Sequence, residues 1–140
     1  MDPATTQDWP GQRLGLPRDG SSSVGRLGRR VVAVLIDWLA SSLVSAAFFA
    51  HDPWATLGVF TAEQVLLVGT LGASFGHALA GLRVRRLVPH GRSAAPEALP
   101  GPRAALVRAV LLAVVIPATV YDADQRGLHD RAAGTVLLRR

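Results

Sequence analysis

From Val31 to Ala50 the chain is apolar apart from Asp37 and three serines. A helix of about 20 residues rises about 30 Å, the hydrocarbon thickness of a bilayer, so this stretch predicts a first membrane span. Asp37, Ser41 and Ser45 recur at four-residue spacing, and Arg30 and Ala33 extend the same face. The result is one narrow polar stripe on an apolar cylinder, a pattern that packs against a neighbouring helix in lipid. A carboxylate near the centre of a span costs roughly 2.5 to 3.5 kcal/mol, so Asp37 requires a partner.

His51-Asp52-Pro53-Trp54 reads as a tight connection, and a second apolar run covers about 55–73. Glu63 and Gln64 interrupt it near the middle. On a helix Glu63, Thr70, Ser74 and His77 share one side, while Gly69, Gly72, Gly76 and Ala80 offer a small-residue surface for close packing. Asp37 and Glu63 together predict a helix seam or, alternatively, a buried protonatable carboxylate pair.

After Ser74 small, apolar and basic residues mix, which suits the membrane surface with Arg83, Arg85 and Arg86 among headgroups. Residues 87–103 carry Pro89, Gly91, Pro96, Pro100, Gly101 and Pro102 and read as an irregular polar loop. The chain turns apolar again over 104–121, with Arg108 early and Pro117 late. Only about 12 uncharged residues, roughly 18 Å of helix, lie between Arg108 and Tyr121, which is short for a crossing. The fold class expected is therefore an all-α membrane protein. Two transmembrane helices are followed by an interfacial segment and by a third helix that is re-entrant or interfacial, a complete third span being the alternative. Residues 1–27, rich in Gly, Pro and Ser, read as a disordered tail before a membrane domain over 28–140.

Charge sets the orientation. Five arginines precede the first span, none lies in the 51–54 turn, and five lie between 83 and 103. The positive-inside rule then places the N-terminus and the long loop in the cytoplasm of a bacterial inner membrane. A complete third crossing would export Arg126, Arg131, Arg139 and Arg140, so the C-terminus is expected in the cytoplasm as well. Arg29-Arg30 before an apolar run resembles a twin-arginine export signal. The long preceding segment, Asp37 within the apolar region and the hydrophobic remainder favour a retained anchor.

Composition agrees with one small membrane domain: 140 residues, 49% hydrophobic, mean hydropathy +0.29. All 15 basic residues are arginine and the net charge is +5. The use of arginine alone fits the codon bias of a G+C-rich genome better than selection for phosphate binding. Because the arginines flank apolar runs instead of forming one patch with interleaved aromatics, they read as topology signals beside anionic headgroups and not as a nucleic-acid surface. There is no cysteine, hence no disulfide and no thiolate site. His129-Asp130 lacks the further ligands a metal needs and reads as part of a polar network. No Gly-rich phosphate loop or nucleophile elbow is present, so neither an enzyme nor a cofactor is expected.

Three segments together resemble the RDD family of small bacterial membrane proteins. They are Arg30-x-x-Ala33-x-x-Ile36-Asp37, then Ser74-Phe-Gly76-His77-x-x-x-Gly81-x-x-Val84, then Leu106-Val-Arg108 with Arg126-Gly-Leu-His129-Asp130-Arg131-x-Ala-Gly134-Thr135-Val136. The likeness spans roughly residues 26–138 and assigns the family's arginine and two aspartates to Arg30, Asp37 and Asp130. His77 stands where the family usually has lysine, and Ser74 where it has threonine. The resemblance implies a multi-pass membrane module, and some members have been proposed as cation/proton antiporters. Within the buried charge network of Arg30, Asp37, Arg108 and Asp130, the pairing expected is Arg108 with Asp37 and Arg30 with Asp130. The function expected is an accessory or assembly module that binds another membrane protein or itself. The alternative is a cation/proton transporter using Asp37 and Glu63.

Overall fold

A computed structural model of the chain describes residues 7–90, 93–114 and 124–140. The two apolar runs form antiparallel helices, α1 over Leu27–Phe48 and α2 over Pro53–Leu71. Both are long and apolar enough to cross a membrane. Ala50 and His51 turn the chain in left-handed backbone conformations, and the Asp52 side chain accepts the Ala55 amide while Pro53 opens α2. The Trp38 and Phe60 rings meet edge to face at 5.5 Å and hold the two helices together. Inside α2 the turn Gln64–Val68 widens to π-helical geometry, which shifts the side chains that follow it. At Gly72 φ is +72°, and a Cβ there would stand 2.9 Å from the Val84 carbonyl oxygen, so glycine ends α2 where the chain must pass close to a strand.

Beyond α2 come the short helix α3 (Phe75–Leu79), strands β1 (Leu82–His90) and β2 (Ser93–Ala98), helix α4 (Gly101–Ala113), helix α5 (Leu128–Ala133) and strand β3 (Thr135–Arg139). The strands form one antiparallel sheet in the order β2-β1-β3. This overturns the all-α expectation, and both the interfacial segment and the irregular loop give way to a β-hairpin. The physical reason is visible in β1, where Leu82 and Val84 are completely buried while Arg83 and Arg85 are only half-buried. That two-residue alternation is a strand signal. Pro96 is tolerated because β2 lies at the edge of the sheet.

The two faces of the sheet have different cover. Leu82, Val84 and Leu137 pack with Ala33, Val68, Ala80 and Ala105 of the helices. On the opposite face Val136 and Leu138 meet Leu16 and Val24, with Leu14 and Leu87 alongside. Residues 7–26, read from sequence as part of a disordered tail, thus carry a 3-10 turn at Gln12–Leu14 and supply two core side chains. Residues 22–25 also run beside β3: Ser22 N donates to Arg139 O, Arg139 N to Ser23 O and Gly25 N to Leu137 O. Of the third apolar segment, α4 is seen through Ala113. Residues 115–123, including Pro117 and Tyr121, lie outside the described residues, as do residues 1–6 and 91–92.

Candidate functional site

α1 is built inside out. Its buried residues are Arg30, Ala33, Asp37, Ser41 and Ser45, whereas Leu35, Leu39 and Leu43 are more than 60% exposed. The polar stripe therefore faces the protein, and it feeds two buried polar clusters.

The first gathers at the start of α3. Ser74 and His77 form a reciprocal cap: the Ser74 hydroxyl accepts from His77 N, and Ser74 N donates to His77 Nδ1 at 3.1 Å. His77 thus takes the place that Glu or Gln fills in the usual capping box. The Asp37 carboxylate accepts from Ser74 Oγ at 2.6 Å, from Gln64 Nε2 at 2.9 Å and from the Gly76 amide. Glu63 accepts from the next amide, Phe75 N, at 3.2 Å. Every orphan amide of the first turn of α3 has an acceptor, and two of those acceptors are acidic side chains from α1 and α2. Close approach makes this possible, because a Cβ on Gly76 would lie 2.0 Å from the Ala33 carbonyl oxygen.

The acceptor role of His77 requires an unprotonated Nδ1. Burial, followed by the nearby charges of Arg108 and Arg30, lowers its pKa from 6.5 to about 3. The ring is therefore neutral across the physiological range and cannot supply the permanent cation that a lysine there would carry.

The second cluster centres on Asp130, which is wholly buried. Arg30 Nη1 lies 3.1 Å from its Oδ2, and Arg108 pairs with its Oδ1. Arg30 Nε also donates to Gly25 O at 2.7 Å, fixing the guanidinium at the head of α1. The Thr135 hydroxyl accepts from Arg108 Nη1 at 3.2 Å and donates toward Asp130 Oδ1 at 3.4 Å. His129 Nε2 stands 3.6 Å from Asp130 Oδ2. Two cations on one carboxylate satisfy the aspartate fully. Removing the carboxylate would leave two buried guanidiniums facing each other.

Of the expected pairs, Arg30 with Asp130 is present and Arg108 with Asp37 is not. Arg108 lies on α4, which packs along α5, so it reaches Asp130. Asp37 sits seven residues beyond Arg30, about 10 Å along the axis, and is met by neutral donors instead. The remaining motif residue, Gly81, has φ +69° and turns the chain from α3 into β1. In the sequence Gln64 is only a costly neighbour of Glu63. Its role follows from the π-helical turn, which has no sequence signature. The Ser74-x-x-His77 cap was findable, since a serine three residues before a side chain with an acceptor nitrogen is a capping pattern. Gln64 Oε1 and Arg108 Nε are buried without a hydrogen-bond partner among the described residues. No group of three or more His, Cys, Asp or Glu suited to a metal occurs among the described residues.

No protein-family model matches the chain, and neither the curated proteins nor the solved structures give a match.

Proposed function

We propose that this chain is a non-enzymatic integral membrane module that docks onto another membrane protein or a further copy of itself, within the bacterial inner membrane. The observation that carries the reading is the inverted burial of α1: acid, arginine and serine inside, leucine and valine outside. In water that arrangement would expose a large apolar face and bury costly charges, whereas in lipid it is the stable one. The core helix of a soluble protein is mostly covered by its own chain, but the apolar windows of α1 and α2 are only 22% and 28% buried.

Orientation follows from charge and pairing. No arginine lies between residues 31 and 82, so all 15 flank the hairpin. The sheet, α5 and the head of α4 around Arg103 then form a cytoplasmic cap, from which the rest of α4 runs back along α2. Because residues 22–25 run beside β3, the start of α1 and Arg139 share one side of the membrane. Asp37 and Glu63 both bind amides at the head of α3, a use that favours holding the fold over carrying a cation.

The absence of native cysteine permits a direct test. An impermeant maleimide added to intact spheroplasts is expected to label Ala50→Cys, and to label Arg18→Cys and Arg140→Cys only after permeabilisation. Mild extraction is expected to recover the chain as a multimer or with a membrane partner. Recovery from the soluble fraction, outside labelling at position 18 or 140, or extraction as a lone monomer would overturn the proposal.

A further inference from the structure

We infer that the cavity where α4 meets α5 and β1 seats one anionic phospholipid of the cytoplasmic leaflet, an inference that rests on the membrane placement proposed above. The cavity encloses about 400 Å3, and its wall includes Arg86 of β1 and Arg103 of α4 together with Pro100, Pro102, Val107 and Ala133. Both arginines are exposed, and neither has a hydrogen-bond or ion-pair partner among the described residues. No acidic side chain lines the cavity among the described residues. Two guanidiniums without protein partners at one cavity concentrate positive charge and bidentate donors there, the chemistry that a phosphate accepts.

What distinguishes a lipid from a free phosphate is the surface below. Arg103, Val107, Val110 and Val114 follow one another at spacings of four, three and four residues, so they form one stripe along α4. The three valines are 39%, 49% and 56% exposed, while Ala105, Arg108 and Ala109 fill the opposite, buried face. From Arg103 to Val114 the helix rises about 16 Å. Half of a hydrocarbon core about 30 Å thick is about 15 Å. A phosphate held at Arg103 and Arg86 therefore starts an acyl chain that can follow the valines to the middle of the bilayer. Two cations on one wall, with no acid beside them among the described residues, select a net-negative headgroup, because the ammonium of a zwitterionic lipid would meet the second arginine.

The test uses the full chain in nanodiscs of three-to-one phosphatidylcholine to phosphatidylglycerol, with retained lipid read by native mass spectrometry. Melting temperature is followed in parallel as phosphatidylglycerol, phosphatidylcholine or inorganic phosphate is added to delipidated protein. Wild type is expected to retain phosphatidylglycerol selectively and to melt higher with it. Arg86→Gln/Arg103→Gln is expected to retain roughly tenfold less and to lose that gain. It should melt like wild type in phosphatidylcholine alone, and Arg18→Gln should behave as wild type throughout. Equal retention of the two lipids, or undiminished retention by the double variant, would overturn the inference. So would a melting gain reproduced by inorganic phosphate, or a change in oligomeric state at constant lipid, which would give this face to a second copy. Loss of lipid selectivity in a chain still found in membranes defeats this seat alone; a chain found outside membranes defeats the parent proposal.

Discussion

Replacing Gly76 by alanine sets two effects of opposite sign against each other. Helix propensity favours alanine by at most about 1 kcal/mol, the interior value, and Gly76, in the first turn of α3, is absent from the residues with positive φ. Against this, the new methyl would stand 2.0 Å from the Ala33 carbonyl oxygen and 2.8 Å from Asp37 Oδ1. Both neighbours are fixed, one being backbone of α1 and the other a carboxylate held by three donors. Relief requires α3 to withdraw by more than an ångström, which carries the Gly76 amide and Ser74 Oγ out of hydrogen-bond range of Asp37. Two hydrogen bonds to a charged acceptor are together worth about 3 to 6 kcal/mol. The net expectation is a loss of about 2 to 5 kcal/mol, or a melting temperature lowered by roughly 10 °C for a chain of this size. Circular dichroism melts in detergent, with size-exclusion profiles to confirm the folded start, measure it. If the loss runs through Asp37, Gly76→Ala combined with Asp37→Asn costs less than the two changes summed. A variant melting at or above wild type would refute the close-approach reasoning.

Two further outcomes follow from the buried clusters. Asp130→Asn strands Arg30 and Arg108 and is expected to cost about 3 to 5 kcal/mol. Arg30→Gln is expected to cost less, because Arg108 still holds the carboxylate, and the double variant to fall short of the sum; strict additivity in detergent melts would count against direct pairing. His77 gives a pH signature. Its folded pKa of about 3 lies below the ordinary 6.5, so between those values the unfolded chain binds a proton that the native one refuses. Stability therefore falls as pH drops below about 6.5, by about 2 kcal/mol at pH 5 from this group, and is untouched by it above that range. His77→Asn keeps an acceptor for Ser74 N without titrating, so its melting temperature should fall less than that of wild type between pH 7 and pH 5. Parallel declines would show that the ring is not the group responsible.

The hairpin was legible because span-length apolarity is a property of consecutive residues: runs placed at about 31–50 and 55–73 became helices Leu27–Phe48 and Pro53–Leu71. The polar stripe Arg30, Ala33, Asp37, Ser41, Ser45 was legible for the same reason, since helical spacing alone puts those residues on one face. The sheet was not. β1 spends alternate positions on arginines, and at a membrane surface those suggested headgroups, although Leu82 and Val84 between them mark a strand. Its partner β3 lies some fifty residues further on, so no local pattern announces the pairing. The destination of Arg108 was hidden likewise, for α5 offers a carboxylate nearer than Asp37 only once the chain has folded back. The donors to Asp37 include a backbone amide, and a backbone amide leaves no trace in a list of side chains.

Arg30 and Asp130 are a hundred positions apart in sequence. On the membrane placement proposed above, the hairpin is therefore complete and ready to insert while the acid that will neutralise its head is still unmade. On that placement insertion precedes closure, and until α5 is made the guanidinium at the mouth of α1 has the Gly25 carbonyl to hold it but not its carboxylate. α5 and β3 are in this sense a latch: the one brings the carboxylate to Arg30 and Arg108, the other closes the sheet against β1.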